Sequence, residues 1–127
     1  MGLDQYVQLC KSEEAPAADV DFDAPEGAGE LHYWRKHPNM HGWMAKLYKR
    51  KGGQEDEHEF CTAVKLTRAD LLELKQVVMD KKLPTTRGFF FGEDENSDEE
   101  MDGDLDFIAT AMRALEAGYV VFYTSSW

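Results

Sequence analysis

Residues 33–43 gather most of the side-chain types that recognise a phosphate: Tyr33-Trp34-Arg35-Lys36-His37, with His41 and Trp43 close behind. Arginine offers a planar fork for a phosphate or carboxylate, and lysine a point charge. Imidazoles add hydrogen bonds to anionic oxygens, and a neighbouring anion favours the protonated ring. Aromatic rings stack a base or cover an apolar face. The pattern predicts an anion held by Arg35, Lys36, His37 and His41 against an aromatic wall of Tyr33, Trp34 and Trp43. Taken alone, the two tryptophans read as core residues, because large aromatics dominate small cores. Arg87-Gly88-Phe89-Phe90-Phe91-Gly92 adds Arg87 and one ring, taken as Phe90, since three consecutive phenylalanines of a strand cannot all face one layer. Asp4 and Tyr6 complete the candidate set, with Asp4 a conceivable acid–base partner of His37 or His41. No catalytic residue is assigned.

Metal chemistry fits less well. His37 and His41 stand four apart, but Pro38 interrupts the turn between them and no third spaced ligand follows, so no metal or cofactor is expected. The acidic run 93–106 has the composition of a calcium loop without its spacing. Counting from Asp94, Glu99 stands where that loop needs glycine and Leu105 where it needs a bidentate glutamate.

The charge distribution supports a local anion site. The 127 residues hold 25 Asp and Glu against 14 Lys and Arg, for a net charge of −11. Within it, Glu30–Lys51 carries +5 and the remainder −16. Such a chain disfavours generic DNA, RNA and membrane contact, whereas a cationic pocket in a repulsive shell admits a small anion. The length suits a single domain, 1–127, able to bury one hydrophobic core. Cys10 and Cys61 fit free thiols of a reducing compartment, and no signal-like or membrane-spanning run is seen, so a cytoplasmic location is expected.

The elements that must position these residues follow from periodicity. Residues 3–10 alternate as a strand, with Leu3, Val7 and Leu9 on one side and Tyr6 on the other. Segments 12–29, 54–59 and 93–104 read as acidic loops. Pro38 divides the basic segment into a short helix over 30–36 and a second helix whose stripe is Met40, Trp43, Met44, Leu47 and Tyr48, stopped by Gly52-Gly53. His41, Lys49 and Arg50 are left to its flank or solvent side. A strand follows over 60–66. Thr67 and Asp70 then form a near-capping box for a helix buried through Leu71, Leu74, Val77 and Val78 and ended by Leu83-Pro84. Residues 87–92 read as a strand. A last helix on Leu105, Ile108, Met112 and Leu115 stops at Gly118, before a strand over 119–123. The expected fold is α+β: a small, mainly antiparallel sheet packed with about four helices. No dinucleotide or P-loop signature appears.

The opening Met1-Gly2-Leu3-Asp4-x-Tyr6, the block Glu30-Leu31-x-Tyr33-Trp34-Arg35-Lys36-His37 with Met40-His41-Gly42-Trp43-Met44, Gly52-Gly53, and Leu83-Pro84 leading to Gly88-Phe89-Phe90-Phe91-Gly92 carry a resemblance. The chain resembles, over nearly its whole length outside the acidic loops, a family of small proteins found mostly in tailed phages and prophages. Some members carry the name phosphoglycerate kinase. Nothing in this sequence supports that name, because it lacks room for two large α/β domains and any glycine-rich nucleotide loop. The resemblance implies a phage accessory protein of the host cytoplasm, a class that often binds a host protein or a signalling nucleotide.

The leading expectation is therefore a non-catalytic protein that sequesters a phosphate-containing small molecule, such as a nucleotide signal of host defence. Oligomerisation would be one way to complete the pocket. The alternative is an acidic inhibitor that occupies the basic cleft of a host nucleic-acid enzyme or defence protein by mimicking nucleic acid. A small enzyme using His and Asp acid–base chemistry is the third reading.

Overall fold

The computed structural model describes residues 3–35, 37–55, 62–83 and 98–126. Four strands, β1 (Asp4–Lys11), β2 (Gly29–Arg35), β3 (Val64–Leu66) and β4 (Tyr119–Ser126), form one antiparallel sheet in the order β2-β1-β4-β3. Three helices, α1 (Pro38–Arg50), α2 (Arg68–Met79) and α3 (Asp98–Glu116), complete the α+β domain.

The two sheet faces are covered differently. Val7, Val64, Leu66, Val121 and Tyr123 face the helices and join Met40, Met44, Leu47, Leu71, Leu74, Phe107 and Ile108 in the main core. On the opposite face, Cys10, Ala63 and Phe122 make a smaller core under Ala15, Phe22 and Ala28 of the 12–28 segment. That segment, read from the sequence as an acidic loop, is tied down. It opens with a 3₁₀ turn at Ser12–Glu14, bridges to β3 through Val20 and Val64, and exchanges backbone hydrogen bonds with Ala63 and Lys65.

Local signals set most helix ends. The α1 stripe is buried as its spacing requires, with Pro38 opening the helix and Gly52 at φ +99° closing the following turn. In α2 the capping box is complete: Thr67 Oγ1 accepts from Asp70 N–H, and Asp70 Oδ2 accepts from Thr67 N–H. This helix ends at Met79, earlier than Leu83-Pro84, where Lys81 adopts φ +56° and Leu83 turns back into the core.

Three expectations need correction. The short helix expected over 30–36 does not form in its described residues: Gly29–Arg35 is β2, because β1 offers an antiparallel partner and period-two alternation lets its aromatics serve both faces, and residue 36 lies outside the described residues. The acidic loop 93–104 is helical from Asp98 onward, and residues 93–97 lie outside the described residues. Carboxylates near a helix N-terminus are favoured by the macrodipole, so an acidic run does not oppose helix there. The buried face of α3 is set by Asp104, Phe107, Ile108 and Ala111, while Leu105, Met112 and Leu115 flank it. The expected strand at 87–92 and residues Phe60 and Cys61 also lie outside the described residues. No helix among the described residues is long and apolar enough to cross a membrane.

Candidate functional site

The register of β2 on β1 decides where the basic and aromatic segment points. Asp4 lies opposite Arg35, Gln5 opposite Trp34, Tyr6 opposite Tyr33 and Val7 opposite His32. Alternation therefore sends Gln5, Val7, His32 and Trp34 toward the helices, and Asp4, Tyr6, Tyr33 and Arg35 to the other face.

On the helix side, these residues enter a buried polar network. Gln5 is fully buried and grips the backbone of His37 at two points: Nε2 donates to His37 O at 3.0 Å, and Oε1 accepts from His37 N–H at 2.8 Å. That match fixes the orientation of the amide. Gln5 Nε2 also donates to Tyr123 Oη at 3.1 Å, and Tyr123 Oη meets His41 Nδ1 at 2.8 Å. Asp104 of α3 accepts from Trp34 Nε1 at 3.1 Å through one oxygen and meets His37 Nε2 at 3.0 Å through the other. His41 and Asp104 are 1% and 2% exposed, so this network binds β1, β2, α1, α3 and β4 to one another rather than facing solvent.

His32 packs at the edge of the same cluster, with ring centroids 4.4 Å from Trp34 and 5.4 Å from Phe107. Its pKa is lowered, chiefly by burial and also by His37, against the opposing pull of Asp104 and Glu30.

The other face of β1 and β2 is open at the Arg35 end. Tyr33 is 43% exposed, its ring centroid lies 5.3 Å from that of Tyr6, and its hydroxyl donates to Asp4 Oδ1 at 2.6 Å. That hydrogen bond, reinforced by partial desolvation and the carboxylate charge, raises the Tyr33 pKa, while Arg35 opposes the rise. Arg35 is exposed and has no ion-pair partner among the described residues. The arrangement is a two-ring platform with a guanidinium at one end and a carboxylate fixed beside it.

Lys46 is exposed and has no ion-pair partner among the described residues, whereas Lys49, Arg50 and Lys51 are engaged within the chain. Lys49 Nζ donates to Gly53 O, Arg50 pairs with Glu73, and Lys51 bonds Asp70 at 2.6 Å and Lys65 O at 2.7 Å. Arg50 at the end of α1 thus reaches α2, and Lys51 just beyond it reaches both α2 and β3.

The sequence-predicted site is divided. Asp4, Tyr6, Tyr33 and Arg35 come together on the open face, whereas Trp34, His37, His41 and Trp43 lie on the helix side. The expectation that Arg35, His37 and His41 grip one anion is corrected: consecutive strand residues diverge, and both histidines are core residues, His41 included. Asp4 is likewise separated by the sheet from both histidines, so that acid–base pair is not assembled. Lys36, Arg87 and Phe90 lie outside the described residues. Sequence reasoning missed Gln5, Asp104 and Tyr123. Gln5 had a signal, its place between Leu3 and Val7 on the apolar side of the strand, whereas Asp104 was hidden within an acidic run. No group of three or more His, Cys, Asp or Glu able to hold a metal occurs among the described residues. Compared with known proteins, the chain matches no family model, no curated protein and no solved structure.

Proposed function

We propose that this chain is a non-catalytic binding protein that captures a phosphate-bearing small molecule of the nucleotide class on the open face of β1 and β2. Arg35 holds the phosphate, and Tyr33 and Tyr6 cover the base. The observation carrying this reading is the exposed guanidinium of Arg35, without an ion-pair partner among the described residues, beside a tyrosine pair whose geometry the Tyr33 to Asp4 hydrogen bond fixes. Burial of His37 and His41 supports binding over acid–base turnover, since neither imidazole is presented to a substrate at the surface. The resemblance to phage-encoded proteins points to a host defence signal as the ligand.

Calorimetry with a panel of nucleotides tests the reading. Wild type is expected to release heat with at least one of them, and Arg35→Ala to lose about tenfold or more in affinity while keeping its fold. Absence of heat across the panel overturns it.

A second reading is supported by the anchored 12–28 segment. Exposed Glu13, Glu14, Asp19, Asp23 and Glu26 are presented from backbone pinned to β3 and the smaller core, the rigid display that mimicry of a phosphate backbone needs. It predicts a salt-sensitive complex with a basic host nucleic-acid enzyme or defence protein, unaffected by Arg35→Ala. Pull-downs at low and high salt with both forms separate the two readings.

A further inference from the structure

A recess lies at the far end of the sheet from Arg35, where Tyr119 of β4 pairs with Lys11 of β1. Its volume is about 280 Å³, and its walls are almost wholly apolar, formed by Leu66, Leu115, Tyr119, Val120 and Val121. Two cations border it. Lys65 is engaged elsewhere, with its ammonium on Pro16 O and over the Phe22 ring. Arg68, at the start of α2, has only Glu116 as an ion-pair partner among the described residues, at 3.5 Å, and their side chains are 62% and 67% exposed. A pair so long and so solvated gives up its carboxylate readily. Glu116 also shows that a carboxylate fits against Arg68 at the edge of the recess.

We propose that this recess binds a small monocarboxylate with an apolar tail. The carboxylate displaces Glu116 from Arg68, and the tail lies along Leu115, Tyr119, Val120 and Val121. The single guanidinium and apolar walls suit one negative charge joined to a hydrocarbon, and exclude a polyphosphate, whose remaining charges would face unpaired apolar surface. This site is independent of the Arg35 face and stands or falls separately.

Hexanoate is the probe, titrated into the full ¹⁵N-labelled chain at constant ionic strength, with hexan-1-ol as the uncharged control. Saturable amide shifts are expected at Thr67, Arg68, Tyr119 and Val120, with hexan-1-ol binding more weakly. Arg68→Gln is expected to weaken hexanoate by about fivefold, and Glu116→Gln, which frees the guanidinium, to tighten it by about twofold. Both positions are exposed, and an unchanged spectrum outside the recess verifies folding. Non-saturable or scattered shifts, equal affinity for hexan-1-ol, or indifference to Arg68→Gln overturns the proposal.

Discussion

Asp104 and His37 meet at 3.0 Å with side chains 3% and 7% exposed, tying the second turn of α3 to the residue just before α1. Through its other oxygen Asp104 also holds the indole of Trp34, so one carboxylate fixes the end of β2 and the turn that follows. Tyr33 and Arg35 take their places on the open face because their neighbours are locked on the other.

Asp104→Ala should therefore destabilise the fold strongly, since it removes the acceptor of the part-buried Trp34 indole N–H and the carboxylate that meets the His37 ring. The expected loss is about 3 kcal/mol in urea unfolding. Asp104→Asn keeps an acceptor and should lose less. A loss below about 1 kcal/mol for the alanine variant would show that the network is not what holds α3 to the sheet.

Two glycines should respond to alanine with opposite signs. A Cβ on Gly53 would stand 2.2–2.4 Å from ring atoms of buried Tyr48, whose hydroxyl anchors Asp21 and the backbone of Glu55. Gly53→Ala should cost about 2 kcal/mol. Gly103 lies within α3 and a Cβ there meets nothing within 4 Å, so Gly103→Ala should stabilise by about 0.8 kcal/mol through helix propensity. Thermal and urea unfolding of the two variants provide the comparison.

Stability should fall in two separate steps as pH is lowered. His32, depressed chiefly by burial, binds its proton in the unfolded chain first, so stability declines as pH falls from about 6.5 through the lower folded value. Burial would raise Asp70, but the hydrogen bonds from Lys51 and the Thr67 backbone, together with the Lys51 charge, outweigh it and hold the carboxyl below its usual range. Its contribution is complete above about pH 4 and is lost as pH falls through the depressed folded value. His32→Gln should shrink the upper step. Asp70→Asn should shrink the lower one, leaving the part contributed by Asp21, whose hydrogen bonds to Tyr48, Thr62 and Gln54 outweigh desolvation.

Tyr33 should ionise later than an ordinary tyrosine, because its proton is donated to Asp4. An alkaline titration followed by the tyrosine ring carbons should place it above about 10, and Asp4→Asn should bring it down. Tyr48, raised first by burial and then by its bond to Asp21, should also titrate late and be unmoved by Asp4→Asn. A Tyr33 titration unchanged in the variant would dismiss the fixed platform on which the binding reading rests.

Much of the fold was legible where neighbours in sequence settle the matter. The α1 stripe, the Thr67 and Asp70 box, and the glycine after α3 are short-range devices, and each appears where spacing puts it. The candidate site was legible in residue type and not in arrangement. Tyr33, Trp34 and Arg35 stood out in the sequence as a basic, aromatic segment, but a helix and a strand distribute the same three side chains differently.

The sequence by itself determined an acidic α+β domain, its principal helices, its opening and closing strands, and a concentration of cations and aromatics in one segment. Tertiary structure alone decided that Gly29–Arg35 is a strand, that Gln5, His37, His41 and Asp104 are sequestered together, and that Arg35 faces the other way. The physical reason is range. Capping, stripes and turns are set within a few residues, whereas strand pairing and the satisfaction of buried polar groups depend on partners far along the chain, 67 residues apart for His37 and Asp104 and 118 for Gln5 and Tyr123.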